Sequence, residues 1–164
     1  MIKPFIIAAI TADGFIAQNP DQPATWTSPE DKKHFIEITK RAKVMIMGER
    51  TFRTIGRALP GRTTIVYSYE KSDFPGVEFT KEEPEDLLAR LSLQGYEEVA
   101  ICGGASIYRM FMERGLVQKL YLTVEARLFG DGVPLFGKPM NRDLVLLSTK
   151  QISPNTIVLE YKVS

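Results

Sequence analysis

Two apolar runs in this chain end on glycine and pass straight into helical sequence. Val44–Met47 stops at Gly48 before a helix expected over Glu49–Ile55. Val99–Ile101 runs through Cys102 into Gly103-Gly104, before a helix expected over Ser106–Arg114. A strand leading at once into a helix is the repeating unit of a parallel sheet, because parallel neighbours need a long crossover and a helix supplies it. The same alternation fills most of the chain. Phe5–Ile10 is a continuous apolar run, as in a strand buried on both faces. A helix follows Ser28-Pro29-Glu30-Asp31, with Ser28 as N-cap and Pro29 at the first helical position, and Phe35, Ile38 and Ala42 give helical spacing through Arg41. Thr63–Tyr67, Val77–Thr80 and Leu120–Val124 read as strands, and Pro84–Leu93 as a helix. Leu144–Lys150 and Thr156–Val163 flank Ser153-Pro154-Asn155 and read as an antiparallel hairpin. The expectation is a single α/β domain over residues 1–164: a mostly parallel sheet, helices on both faces, and the hairpin at one edge.

Composition narrows the function classes. With 21 basic and 20 acidic residues the net charge is +1, which argues against nucleic acid or an acidic membrane as the main partner. No apolar run approaches the roughly 20 residues of a membrane span. The apolar start of the chain is broken by Asp13 and lacks a cleavage-site pattern, so a cytoplasmic protein is expected. Cys102 and His34 are the only residues of their kinds, which leaves neither an internal disulfide nor a structural zinc site; no metal is expected.

Ligands on such sheets bind at the carboxyl ends of the strands, which gathers Ala9, Met47, Ser68, Cys102 and Thr123 around one cleft. Gly103-Gly104 before a helix suits a pyrophosphate, or else marks tight packing; it is not the GxGxxG fingerprint. Asp31, on the first turn of its helix beside Phe35, either favours the positive helix end or binds a fused-ring heterocycle through paired N–H groups and helps deliver a proton. Arg62, in Leu59-Pro60-Gly61-Arg62, suits bidentate binding of a substrate carboxylate. Ser68, Tyr69 and Lys71 suit a ribose phosphate, with a solvated surface charge as the other reading of Lys71. Ala17–Thr27 reads as a long functional loop in which Trp26 is a lid anchor or core. Cys102 reads as a small apolar filler, and His34 as an exposed residue among lysines.

Taken together these segments resemble dihydrofolate reductase: Ala8-Ala9 in the first strand, Trp26, Pro29 two residues before an acid, MGERTFRTIG, LPGR, CGGASIY, LYLT and Gly130-Asp131. The resemblance implies an eight-stranded, mostly parallel sheet with an antiparallel carboxy-terminal hairpin. It also implies hydride transfer from NADPH to C6 of dihydrofolate with protonation at N5, by a monomer or homodimer. By the same resemblance Asp31 binds the pterin and supports protonation, Thr123 supports the acid and the pterin amino group, and Tyr108 lies beside the nicotinamide. Ile7, Ala8, Phe35, Ile55 and Cys102 line the substrate, and Arg62 clamps the α-carboxylate of its glutamate. Gly103 and Gly104 take the pyrophosphate, with Ala105, Ser106 and Ile107 after them. Ala9, Ile16, Gly48, Arg50, Thr51, Ser68, Tyr69 and Lys71 complete the cofactor site. The loop Ala17–Thr25 matches a mobile lid with Asp131 as its partner.

Three residues depart from that pattern. Glu49 stands where the family usually has a basic residue near the cofactor phosphates, and Arg50 is the neighbour that compensates by reaching the same phosphate. Lys32 and His34 replace residues that are commonly apolar or aromatic on the acid's helix. ADGFIA, TSPEDKKHF and GDGVPLFG are more similar to the related reductase domain of riboflavin synthesis, which reduces the ribose of a phosphoribosylamino-pyrimidine. Arg62 within LPGR and Trp26 five residues before Asp31 favour the folate reading. A non-catalytic nucleotide-binding relative is the third reading.

Overall fold

Alternating side chains on each strand divide the core in two. Ile6, Ala8, Val44, Ile46 and Ile101 point to one face of the sheet, and Phe5, Ile7, Met45, Met47 and Ala100 to the other. The structure, a computed structural model, describes residues 1–70 and 73–164. Strands β1 (Lys3–Thr11), β3 (Val44–Gly48), β4 (Thr63–Tyr67), β5 (Val77–Thr80), β6 (Glu98–Ile101), β7 (Lys119–Glu125), β9 (Leu144–Ser153) and β10 (Thr156–Val163) form one sheet. Two short strands, β2 (Phe15–Ala17) and β8 (Val133–Pro134), pair antiparallel apart from it. Helices α1 (Pro29–Ala42) and α2 (Glu49–Ile55) cover the face of Phe5 and Met45, while α3 (Pro84–Leu93) and α4 (Ala105–Glu113) cover the face of Ile6 and Ile46.

The eight strands run in the order β5-β4-β3-β6-β1-β7-β10-β9. Pairs from β5 to β7 are parallel, and β10 and β9 close the edge antiparallel, so the predicted architecture is the observed one. The chain leaves β1 for β3, walks outward to β5, then returns to insert β6 between β3 and β1. That reversal opens a crevice at the carboxyl ends of the central strands. Both faces of these strands are covered, which is why they read as unbroken apolar runs rather than alternating ones.

Local chemistry fixes where α1 begins. The Ser28 hydroxyl accepts from the Asp31 N–H at 3.1 Å, so the cap sets the turn on which Asp31 sits. The helix ends at Lys43, a non-glycine residue in the left-handed region at φ 69°. The short β2–β8 pair escapes the sequence patterns because two- and three-residue strands carry no periodicity. It brings Gly132 so close to Ala17 that a Cβ there would collide with the Ala17 carbonyl oxygen, so only glycine fits.

Candidate active site

A single cleft of about 1400 Å³ opens at the carboxyl ends of β1, β3, β4 and β6. Every described residue named above as a binding or catalytic candidate lines it, except Thr123, which is buried; Met47, also expected around the cleft, is fully buried in the core and does not line it. Lys71 lies outside the described residues. Three stretches of the cleft differ in chemistry.

At the inner end, Asp31 is buried on the first turn of α1. Burial is the main cause that pushes its carboxyl above the ordinary range. The nearby carboxylate of Glu125 adds to the rise, whereas Thr123 and Thr27 approach Asp31 and oppose it. Glu125 is itself buried and accepts from both the backbone N–H and the hydroxyl of Ser28. Glu125 therefore holds the start of α1 through its cap residue, and Asp31 stands on the first turn that this cap sets. Ile7, Ala8, Phe35 and Cys102 form an apolar surround. The Tyr108 hydroxyl is buried and donates to the Ile7 carbonyl at 2.8 Å, and burial holds its pKa far above ordinary. It is a fixed donor inside the wall, not an acid for chemistry at neutral pH.

At the outer end the cleft turns cationic. Arg62 donates through Nη1 to the Thr39 hydroxyl at 3.0 Å and through Nε to the Pro60 carbonyl at 3.1 Å. The Thr39 hydroxyl donates in turn to the Phe35 carbonyl at 2.7 Å, so the acceptor that orients the guanidinium is itself fixed. Burial is the main cause that lowers the pKa of Arg62, and the like charge of Arg57 also lowers it. Both costs favour an incoming anion. Lys40 and Arg57 line the same mouth, with Ile55, Leu59 and Pro60 as its apolar floor.

Between these lies the glycine turn. The Gly48 N–H donates to the Gly103 carbonyl at 2.9 Å, which ties the ends of β3 and β6 together. Gly103 has φ 113°, a conformation L side chains rarely adopt, and a Cβ on Gly104 would come within 3.3 Å of the Thr51 hydroxyl. Helix α4 starts here with no side-chain cap; the Ile107 N–H donates to the Gly104 carbonyl at 3.1 Å, which leaves the N–H groups of Ala105 and Ser106 at the cleft wall. A compact anion such as a pyrophosphate fits this turn. On its far side Glu49 accepts from Ser68 Oγ at 3.1 Å and from Arg53 Nη2 at 2.7 Å. Arg50 points instead toward Asp21 of the long loop, at 3.7 Å.

A model of the dihydrofolate reductase family matches residues 3–150. The chain belongs to the dihydrofolate reductase family. It is 37% identical over 128 residues to the dihydrofolate reductase type 3 of Salmonella typhimurium, covering 77% of this chain and 74% of that one. Dihydrofolate reductase from Enterococcus faecalis, solved with NADP(H) and RAB-propyl, superimposes with a TM-score of 0.74 at 25% identity, over 99% of this chain and 96% of that one. A pyrimidine reductase-like protein from Corynebacterium diphtheriae shares the fold, with a TM-score of 0.80 at 19% identity over 99% and 92% of the two chains.

Within this dihydrofolate reductase fold three expectations need correction. His34 is half-buried rather than exposed: its ring meets Tyr121 edge-on at 6.0 Å, and burial is the main cause lowering its pKa. Asp131 does not hold the lid, since its carboxylate accepts from the adjacent Gly132 N–H. Asp13 instead fixes the segment beside it, accepting from Gly130 N at 2.7 Å and Phe129 N at 3.2 Å. The loop Ala17–Thr27 is not structureless throughout, because Ala17 belongs to β2 and Ala24–Trp26 form a 3-10 turn. Trp26 stands at the cleft wall and packs edge-on against Phe129 at 5.0 Å, in the segment that Asp13 holds. Glu125 was missed, yet it was within reach: it lies two residues after Thr123 on one strand, so both point to the same side. Lys40 and Arg57 carried no pattern signal, because they reach the mouth from separate elements.

Proposed function

We infer that this chain reduces 7,8-dihydrofolate to 5,6,7,8-tetrahydrofolate with a reduced nicotinamide dinucleotide. One observation carries the reading: the same cleft has a buried carboxyl held above its ordinary pKa at one end and a fixed, partly buried guanidinium at the other. A pterin needs the first and a glutamate tail needs the second. Asp31 accepts the paired N–H groups of the pterin, and its raised pKa keeps a proton available for N5. Thr123 and the Ser28–Glu125 pair hold it in position. Ile7, Ala8, Phe35 and Ile55 exclude water around the ring system, and Arg62 takes the α-carboxylate with Lys40 and Arg57 adding to the field.

When bound, the dinucleotide supplies a hydride to C6 of the substrate. Gly103, Gly104 and the first turn of α4 would hold its pyrophosphate, and Ala9, Ile16 and Tyr108 would border its nicotinamide. The resemblance implies NADPH as the donor, and the related enterococcal enzyme was solved with NADP(H).

Purified protein mixed with reduced dinucleotide and dihydrofolate, followed at the nicotinamide absorbance band, tests the reading. Oxidation that depends on dihydrofolate is expected. Oxidation that depends instead on a phosphoribosylamino-pyrimidine would move the assignment to the riboflavin-type reaction.

A further inference from the structure

One step beyond the glycine turn a carboxylate, Glu49, stands in the cleft wall. This inference rests on the reading that a nicotinamide dinucleotide lies across that turn. The ribose attached to the far phosphate must then sit against the residues beside it, because Gly48 is bonded to Gly103 and Thr51 abuts Gly104. Those residues are Glu49, Ser68 and Tyr69.

Their chemistry suits hydroxyl groups and not a phosphate. Glu49 is a carboxylate with about a quarter of its side chain exposed (27%), one oxygen held by Ser68 and the other by Arg53. The buried Ser68 hydroxyl has a single proton, and two acceptors already compete for it: Glu49 Oε2 at 3.1 Å and the Glu70 carbonyl at 3.2 Å. It has no donor left for a phosphate oxygen. Among the described residues, the cations at this end have other partners or stand in solvent: Arg53 is paired with Glu49 itself at 2.7 Å. Arg114 is held by Glu83 and Glu85, each at 2.7 Å, and Arg109 donates to the Phe136 carbonyl at 2.6 Å. Arg50 is mostly exposed beside Asp21, and Lys81 is exposed at the rim. A ribose 2′-phosphate carries roughly −1.5 to −2 charges at neutral pH and would meet the Glu49 carboxylate. A free ribose offers two hydroxyl donors to the same oxygens, the arrangement by which an acidic residue reads an unphosphorylated ribose elsewhere.

We propose that Glu49 is the specificity-determining residue of the cofactor site, accepting from the adenosine ribose hydroxyls, and that this cleft takes NADH in preference to NADPH. Trp26 is the one tryptophan and lines the cleft, so its fluorescence reports binding of either dinucleotide without turnover. NADH is expected to bind at least about tenfold more tightly than NADPH, and added salt is expected to narrow the gap by screening the repulsion. Glu49→Gln keeps the size and removes the charge; NADPH should then bind about tenfold better and NADH a few-fold worse. Glu49→Arg should reverse the preference. A thermal melt of each variant confirms that it is folded.

Tighter binding of NADPH than NADH by the wild type, or a ratio unmoved in folded Glu49→Gln, overturns the proposal and leaves the reductase reading standing. Failure of both dinucleotides to bind overturns the two together.

Discussion

Residues 48–62 touch the cleft at both ends, and the two ends differ in sign. Toward the substrate, Arg62 is braced by Thr39 and joined by Arg57 and Lys40, all cations. At the end proposed for the cofactor, the carboxylate of Glu49 is braced by Ser68 and Arg53. Each end has a charged group fixed by a hydroxyl that has no other free role. A fixed charge needs no reorganisation when its ligand arrives, so it discriminates by charge as well as by shape. The lesson is that α2 and its following loop orient one elongated site. On the proposed reading, anion selection belongs to the Arg62 end and anion rejection to the Glu49 end.

The largest expected effect falls on the residue between those ends. Asp31→Asn should lower kcat/KM for dihydrofolate by roughly 10²-fold or more at neutral pH, while dinucleotide binding is unchanged. In the wild type the rate should fall as pH rises through the raised pKa of Asp31, since the protonated acid is the active form. Asp31→Asn should flatten that profile; a profile left intact would remove Asp31 from proton delivery. The same shift has a stability consequence. Folding favours the protonated acid, so stability is full below the unfolded pKa near 3.8 and is lost as pH rises through the folded pKa. Asp31→Asn should therefore melt higher than the wild type at pH 7 and nearly level with it in acid.

Arg62→Ala comes next and sharpens the comparison directly. Hydrogen bonds to charged groups contribute about 1.5–3 kcal/mol, so the KM for dihydrofolate should rise roughly tenfold to a hundredfold with kcat little changed. The dinucleotide titration should not move. Equal loss at both ends would mean that the segment acts as a structural unit, not as two separate readers of charge. Thr123→Val is smaller: loss of one hydroxyl beside the acid should cost about fivefold in kcat/KM and raise the pKa read from the rate profile.

The smallest effect concerns His34. Its folded pKa lies below the ordinary 6.5, mainly through burial, so its contribution to stability is present above that value and is lost as pH falls through the folded pKa. His34→Phe should leave the melting temperature nearly unchanged at neutral pH and weaken its fall in mild acid. Thermal melts across that range test it.

Most of the sheet was legible because each central strand is buried on both faces and each helix has its own start signal, such as Ser28-Pro29 or Gly103-Gly104. The cleft was legible for the same reason, since strand ends mark it. The hidden features share another cause. Asp13 and Glu125 act through backbone N–H groups far along the chain, and a side chain's long-range partner leaves no mark on its own segment. Burial of His34 depends on Tyr121, which lies 87 positions away on β7. The partners of Glu49 were equally invisible: its charge was plain in the sequence, but the Ser68 hydroxyl turned toward it was not.

A crystal structure of the protein with folate and an oxidised dinucleotide tests the central claim most directly. The account predicts the pteridine on Asp31, the glutamate α-carboxylate bidentate on Arg62, and the adenosine ribose against Glu49. Folate bound with its carboxylates away from Arg62 would contradict it.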